Sequence, residues 1–563
     1  MNLVTEAWIP VVRPDGKPDT VGLMQVFTEG QQFSDLAVRP HERIALMRLL
    51  ICIAQAALNG PEDIEAWDNA PNVLPQSAEK YLEEWKLSFN LFDQKRPFLQ
   101  IASLEKLKKT PMESQGKNPG TETSSANKQA RKKGTEENNE HEQTRVSKLD
   151  FALATGANTT LFDHLGSPNV NRNFSTASLA ISLLTFQNFS PGGLIAQAKW
   201  GDKETSKSSA HAPCTPSSML HTFLRRDTLL DTICANLLTK DTITQYFSSH
   251  ADACQGQPIW ERMPANSGDQ KAIENATQTY LGRLVPLTRL IRLVDGNNML
   301  LGDGLSYPAF ENFPAEVSAT VVVNHDGTER KLLRASTKAI WRELPALTVS
   351  RKQGEVGGAL TLRNVPENAA FDLWVGALLT NKATILDTAE SVFHIPANMR
   401  TDNGRAAYAG EVQWAENIAR KLAWGVETYR KESDGGWEGR LKMTKPQDRW
   451  KLKEKLLAAA AHHYWTAVEK QRPLLMAHVD AKGMPLQTQE QIKTAAKKSE
   501  ETQAAWHKAI HGASRGASRQ AYELACGQET PRQIRAFALG LGKLFSKQPA
   551  HEAQDPKTVE VED

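Results

Sequence analysis

Few side chains in this sequence have a spacing that suggests chemistry, and the best of them are metal-ligating types. His211, Cys214 and His221 lie within eleven residues of one another, with Cys254 further along. Imidazoles and a thiolate are zinc ligands, and a site built from them would make the chain a nucleic-acid-processing metalloenzyme. The paired CxxC geometry of a closed zinc site is missing. Asp163, His164 and Ser167 supply the residue types of a hydrolytic triad, but an Asp adjacent to its His in sequence cannot orient the ring in the usual way. The chain has no GxxxxGKS or GxxxxGKT loop, no GxGxxG after a strand and no HExxH, so nucleotide hydrolysis has no motif to stand on. The reading is of a non-catalytic chain with no metal and no cofactor.

Loops of unusual composition are the more informative feature. Between Phe151 and Gly193 two stretches rich in Gly, Asn, Ser and Pro flank a helix-length apolar segment that begins at Thr176. Such loops present backbone N–H groups and tolerate the close approach of another backbone. Phe162, Phe174, Phe186 and Phe189 are expected to add aromatic faces, a mixture suited to nucleic acid.

The elements that must hold these loops follow from length and pattern. A chain of 563 residues is too long for one core, so two or three domains are expected. Its five cysteines are scattered and odd in number, which fits free thiols in a reducing cytoplasm. No secretory signal or membrane-length apolar run is visible. Ala7–Val12 reads as a strand, Arg43–Leu58 as a buried helix, and Ala319–Val323 with Lys331–Leu333 as a hairpin. From Glu113 to Arg145 only Ala126 and Ala130 are aliphatic, so residues 113–148 are expected to be a disordered insertion, and 546–563 a disordered tail.

Beyond Phe393 helix signals dominate. Leu457, Ala461, Tyr464 and Val468 draw one apolar stripe, leaving Lys451 and Lys455 to face solvent or a partner. Further helices are expected over Glu411–Tyr429, Thr488–Ile510 and Pro531–Phe545. Pro396–Phe545 holds 25 Lys/Arg against 16 Asp/Glu, net +9, so the rest of the chain stands at −7 within a total of +2. A basic C-terminal third is the electrostatic footprint of a nucleic-acid-facing surface.

The order of several stretches carries a resemblance. MNLVTEAWIPV opens the chain, followed by LFDQKRPFLQ (Leu91–Gln100), LATGANTTLFDH (Leu153–His164), TFLRRDTLLDTICANLLT (Thr222–Thr239), PIWERMP (Pro258–Pro264) and LLTNKATILD (Leu378–Asp387). This succession, from Met1 to about Phe545, resembles the large subunit of the type I-E CRISPR Cascade, the CasA family. The resemblance implies an α+β fold: a mixed N-terminal domain, 1–392, followed by a four-helix bundle, 393–545. It implies a soluble, cytoplasmic, non-catalytic subunit that binds the other Cascade subunits and guide RNA. Such a subunit senses the protospacer-adjacent motif in duplex DNA, helps open the strands and helps recruit a helicase–nuclease. A purely structural guide-RNA scaffold is the other reading.

The same resemblance assigns roles. Ser190-Pro191-Gly192-Gly193 matches a glycine loop that enters the minor groove, where a bare backbone fits and side chains clash. Thr380-Asn381-Lys382 matches a wedge at the strand opening, and Asn297 stands in a finger where a Lys is usual. Lys382 replaces a familiar Gln and the glycine loop is short of glycines, departures that predict a different motif preference. Phe162, His164, Asn169, Asn171, Arg172, Asn173 and Phe174 would meet the guide and neighbouring subunits. Arg440, Lys442, Lys445, Arg449, Lys451, Lys453 and Lys455, extended by Arg515, Arg519, Arg532 and Arg535, would hold the displaced strand.

Overall fold

The computed structural model describes residues 1–107, 144–150, 174–247, 254–324, 327–336, 338–351, 356–367, 369–381, 384–433, 446–485, 488–525 and 530–545. The chain divides into two compact units, Met1–Pro366 with Ala370–Ile395, and Pro396 onward with Glu367–Ala369. The boundary falls at Ile395 rather than 392, because the last strand of the first unit runs through Ile395.

The first unit is a set of small antiparallel sheets around buried helices. Ile9–Val12 is the middle strand between Pro18–Val21 and Asp35–Leu36. The helix Pro40–Ala57 is buried around most of its circumference and carries Arg48 into the core. That guanidinium donates to the carbonyls of Leu284 and Arg283 and, at 2.8 Å, to Glu316. Glu316 also accepts from Arg283 at 2.7 Å. Burial alone would raise its carboxyl, but Arg283 and Arg48 outweigh that and hold it at about 2. The helix Thr176–Phe189, started by Ser175 Oγ accepting from the Ser178 amide, packs against Pro40–Ala57.

Two hairpins project the residues of interest. In the finger hairpin, Arg289–Leu293 pairs with Asn298–Asp303, and Thr144–Arg145 adds a third strand. These two residues and the buried Val146 correct the expected insertion: its end, 144–148, is folded, while residues 108–143 lie outside the described chain. In the long hairpin, Phe371–Asn381 pairs with Thr384–Ile395 on one side and His221–Arg225 on the other, with a slip in register between Leu379 and Thr380. Val321–Val323 and Arg330–Leu332 form the expected small hairpin.

The second unit is helical. Asp402–Ser433 packs against Pro446–Glu469, Arg472–Gly483, Gln489–Ala525 and Pro531–Phe545. Where a bundle of four is expected, the described residues of this unit carry five helices of twelve residues or more, among them the unexpected Arg472–Gly483, joined to its predecessor by two residues. Thr488 and Thr530 start the last two helices with reciprocal bonds to Gln491 and Gln533, T-x-x-Q capping boxes legible in the sequence. The buried stripe of Pro446–Glu469 is Leu456, Ala460, Tyr464 and Val468. Leu457 is only half-buried and Ala461 is exposed. The four-residue spacing lies along one ridge of the helix, and Tyr464 fixes the register by donating to the Ala415 carbonyl at 2.7 Å. Among the described residues no helix is long and apolar enough to cross a membrane.

Candidate nucleic-acid interface

The glycine loop is held from behind and open in front. Its last turn of helix ends at Phe189, and Gln187 there grips Arg289 through both the backbone amide and carbonyl. Arg289 in turn donates to Pro191 O at 2.9 Å and Ala210 O at 2.8 Å. Burial lowers this guanidinium to about 10, partly countered by Asp303, so it remains a cation at neutral pH. The Gly192 amide donates to Nδ1 of His211 at 3.1 Å, and Gly193-Leu194 pairs as a short strand with Ser208-Ser209. A Cβ on Gly192 would meet Ser209 O at 2.9 Å, whereas one on Gly193 would meet nothing within 4 Å. Gly193 has φ +132, a conformation that favours glycine. Leu194 beside it is 92% exposed, the most exposed large apolar side chain among the described residues.

The segment after the loop leads to the long hairpin. Ala212 N donates to Ser190 O, Cys214 N to Asn188 O, and Thr215 Oγ1 to Phe189 O. Ser218 then contacts the hairpin end: Thr380 N donates to its Oγ at 2.9 Å, and that hydroxyl lies 3.2 Å from both Thr380 O and Thr380 Oγ1. Asn381 is exposed, the last residue of its strand and paired with Thr384. Lys382 lies outside the described residues.

Asn297 is exposed at the finger tip, where Asp295 accepts from the amides of Asn297 and Asn298 at 2.7 Å. The Asn298 side chain and these amides hold the Asp295 carboxyl below its ordinary range. Asn297 O accepts from Val146 N, tying the tip to the third strand. Arg289, which anchors the glycine loop, begins this hairpin five residues before Val294, so loop and tip lie at opposite ends, about 15–20 Å apart by strand rise.

The remaining residues singled out in the sequence lie as follows. Phe162, His164, Asn169, Asn171, Arg172 and Asn173 lie outside the described residues. Phe174 is half-buried and lines a groove of about 660 Å³ with Arg39, Arg43, Asp150 and Glu390. Phe186 and Phe189 are buried and present no face to a ligand; Phe189 packs edge-on against the rings of His41 and His221. Arg440, Lys442 and Lys445 lie outside the described residues, and of Arg449 only the backbone is described. Lys451 and Lys455 are exposed, and Lys453 lies over the Trp450 ring. Arg515 sits over Phe545, Arg519 pairs with Glu523, Arg532 donates to Glu432 O, and Arg535 is exposed.

The metal-type residues are engaged elsewhere. His221 is buried between Ser318 Oγ and Cys214 O, and burial lowers its ring to about 4. Burial raises the Cys214 thiol to about 12, and its Sγ donates to Asn188 Oδ1. Among the described residues no group of three His, Cys, Asp or Glu side chains is placed to hold a metal. Sequence reasoning missed Leu194 and Ser218. An apolar residue directly after Pro-Gly-Gly was a readable signal for the first; nothing in the sequence marks the second.

Comparison with known proteins gives the family and the fold. A CRISPR-associated protein CasA/Cse1 of Thermus thermophilus is 26% identical over 445 residues, covering 75% of this chain and 76% of its own. A crystal structure of Thermus thermophilus CasA superposes with a TM-score of 0.68 at 21% identity, covering 97% of this chain and 98% of that one. Cse1 from Acidimicrobium ferrooxidans gives 0.66 at 18%, covering 97% and 96%. A chain described as a CRISPR RNA-guided surveillance complex gives 0.64 at 15%, covering 97% and 99%. The structural matches show a shared fold, and the sequence model of the CRISPR-associated protein Cse1 family matches residues 2–517. This chain belongs to the CRISPR-associated protein Cse1 family.

Proposed function

We propose that this chain is the non-catalytic large subunit of a type I-E Cascade surveillance complex in the cytoplasm. It recognises the protospacer-adjacent motif in duplex DNA, starts strand separation for R-loop formation, and helps recruit the helicase–nuclease. Its partners are the other Cascade subunits, the guide RNA and the target duplex. Base pairing with the guide then carries sequence specificity, so the protein reads only a short motif and duplex shape.

The observation that carries this reading is the glycine loop. Arg289 and His211 fix its backbone from the protein side, while the outward face at Gly193 is clear of protein atoms. A rigid bare backbone is what a narrow groove with a degenerate hydrogen-bond pattern admits. Asn381 and Lys382 act at the opening end, Asn297 contacts the duplex from the finger, and the exposed cations of the helical unit hold the released strand. Groups that hold a backbone need no sequence preference.

The test is binding of the reconstituted complex to matched targets flanked by a randomised motif. Enrichment of a short motif is expected, and its loss on substituting Gly193 with Phe while pre-melted target still binds. Equal binding to every flanking sequence, with no duplex affinity in the isolated subunit, would favour the scaffold reading instead.

A further inference from the structure

Resting on the reading above, we propose that His211–Ser218 is a spacer fixing the position of the hairpin tip relative to the glycine loop, with Ser218 positioning the tip. Both ends of this segment are fastened, and to the two places that motif reading and strand opening use. At its start, His211 accepts from the Gly192 amide, and Ala212 N donates to Ser190 O. In its middle, Cys214 N and Thr215 Oγ1 satisfy carbonyls at the end of the helix Thr176–Phe189, which would otherwise lack partners. At its finish, Ser218 Oγ takes the Thr380 amide.

That last bond sits where the hairpin most needs it. Register slips between Leu379 and Thr380, so the ladder is irregular one residue before Asn381. The Ser218 hydroxyl takes the Thr380 amide beyond the reach of His221–Arg225, which pairs with this strand only as far as Gly376. Reaching it requires a costly backbone: Ser217 and Ser218 are consecutive non-glycine residues at φ 55 and φ 50. They are kept there by Ser218 N donating to Thr215 O, Met219 N to Pro216 O and Ala335 N to Ser218 O. Strain of this kind persists only where surrounding bonds over-determine it. From His211 to Ser218 is seven steps of chain, at most about 25 Å, so Thr380 is confined to within about seven base pairs of whatever the glycine loop reads.

The experiment uses the reconstituted complex and matched duplexes carrying 2-aminopurine at successive positions beside the motif. Ser218→Gly removes the hydroxyl while relieving the left-handed strain; Ser218→Ala removes the hydroxyl and keeps the strain. Both should bind motif-bearing duplex with normal affinity but open the first step about threefold to tenfold more slowly, the scale of one lost hydrogen bond. DNA pre-melted beside the motif should restore the rate. Normal opening by Ser218→Gly, in a complex where Lys382→Ala is slow, overturns the spacer while leaving the functional reading intact. Loss on duplex and pre-melted DNA alike would make Ser218 merely structural and also overturn it. If Lys382→Ala and a bulky residue at Gly193 also leave duplex opening untouched, the functional reading fails as well.

Discussion

The Gly192 amide donates its hydrogen to Nδ1 of His211, 19 residues away, at 3.1 Å. The bond needs a neutral ring with its proton on Nε2, since a protonated imidazole has no acceptor. Burial, then the charge of Arg289, lowers this ring below its ordinary value of 6.5, so the bond is intact at neutral pH. Motif-dependent duplex binding should be constant above pH 6.5 and weaken as the pH falls through the lowered value. Binding measured from pH 8 to 5 checks this, with His211→Phe expected to remove the dependence. A wild-type profile that matches the variant's would detach His211 from motif reading.

The two glycines of the loop should behave differently. A Cβ at Gly192 strikes Ser209 O and His211 N, so Gly192→Ala should displace the loop and lower the melting temperature. A Cβ at Gly193 meets no protein atom within 4 Å, although φ +132 strains any side chain there, and a bulky residue should cost motif-dependent duplex binding about 1–3 kcal/mol, the scale of one specific base-pair contact. Single-stranded target should bind nearly normally. If the Gly193 variant loses both substrates equally, its defect is in folding.

Stability should fall on mild acidification. Burial holds His41 and His221 at about 4, against 6.5 when unfolded, so unfolding takes up protons between those values. The contribution is therefore complete above 6.5 and declines as pH falls, by up to about 1.4 kcal/mol per pH unit for each ring. Glu316, held at about 2, adds acid lability only below its ordinary 4.5. Urea unfolding at pH 7, 6 and 5 measures the slope, and equal stability at all three would show that the rings are not buried neutral.

Neutralising Lys451, Lys455 and Arg535 should reduce stable opening of matched targets without changing motif preference. Each lost contact to a single strand flattens the logarithmic salt dependence by about 0.7, so the slope should fall by about two. Opening is scored without the helicase–nuclease, which would otherwise confound recruitment with strand holding. An unchanged salt slope would reassign this face to protein docking or to solvent.

Much of the helical unit is legible in the sequence because its signals are local. Pro531 opens a helix that ends at Phe545, as expected, and the T-x-x-Q boxes mark two starts. Periodicity stops two helices short, at Tyr429 and Ile510: the turn to Ser433 is polar, and Gly512 and Gly516 interrupt the pattern of a helix that runs on to Ala525 with Tyr522 packed on Tyr429. The apolar stripe falls on Leu457 and Ala461 in the sequence because neither differs in hydrophobicity from the neighbour that is buried. Phe186 and Phe189 read as ligand faces only because composition cannot tell inward from outward. Ser218 is beyond reach: its partner Thr380 is 162 residues away, and serine gives no hint of a left-handed backbone.

The finger sheet carries a consequence for shortening this protein. Its edge strand, Thr144–Arg145, comes from a part of the chain some 150 residues before Asn298, and Val146 fastens the tip at Asn297. Excising the polar stretch by cutting back to Asp150 would strip that edge and leave Asn298 and Met299 without their partners on that side. A deletion that rejoins Leu107 to Thr144 through a short flexible linker keeps the edge covered. Engineered truncations should therefore stop short of Thr144 and keep residues 144–148.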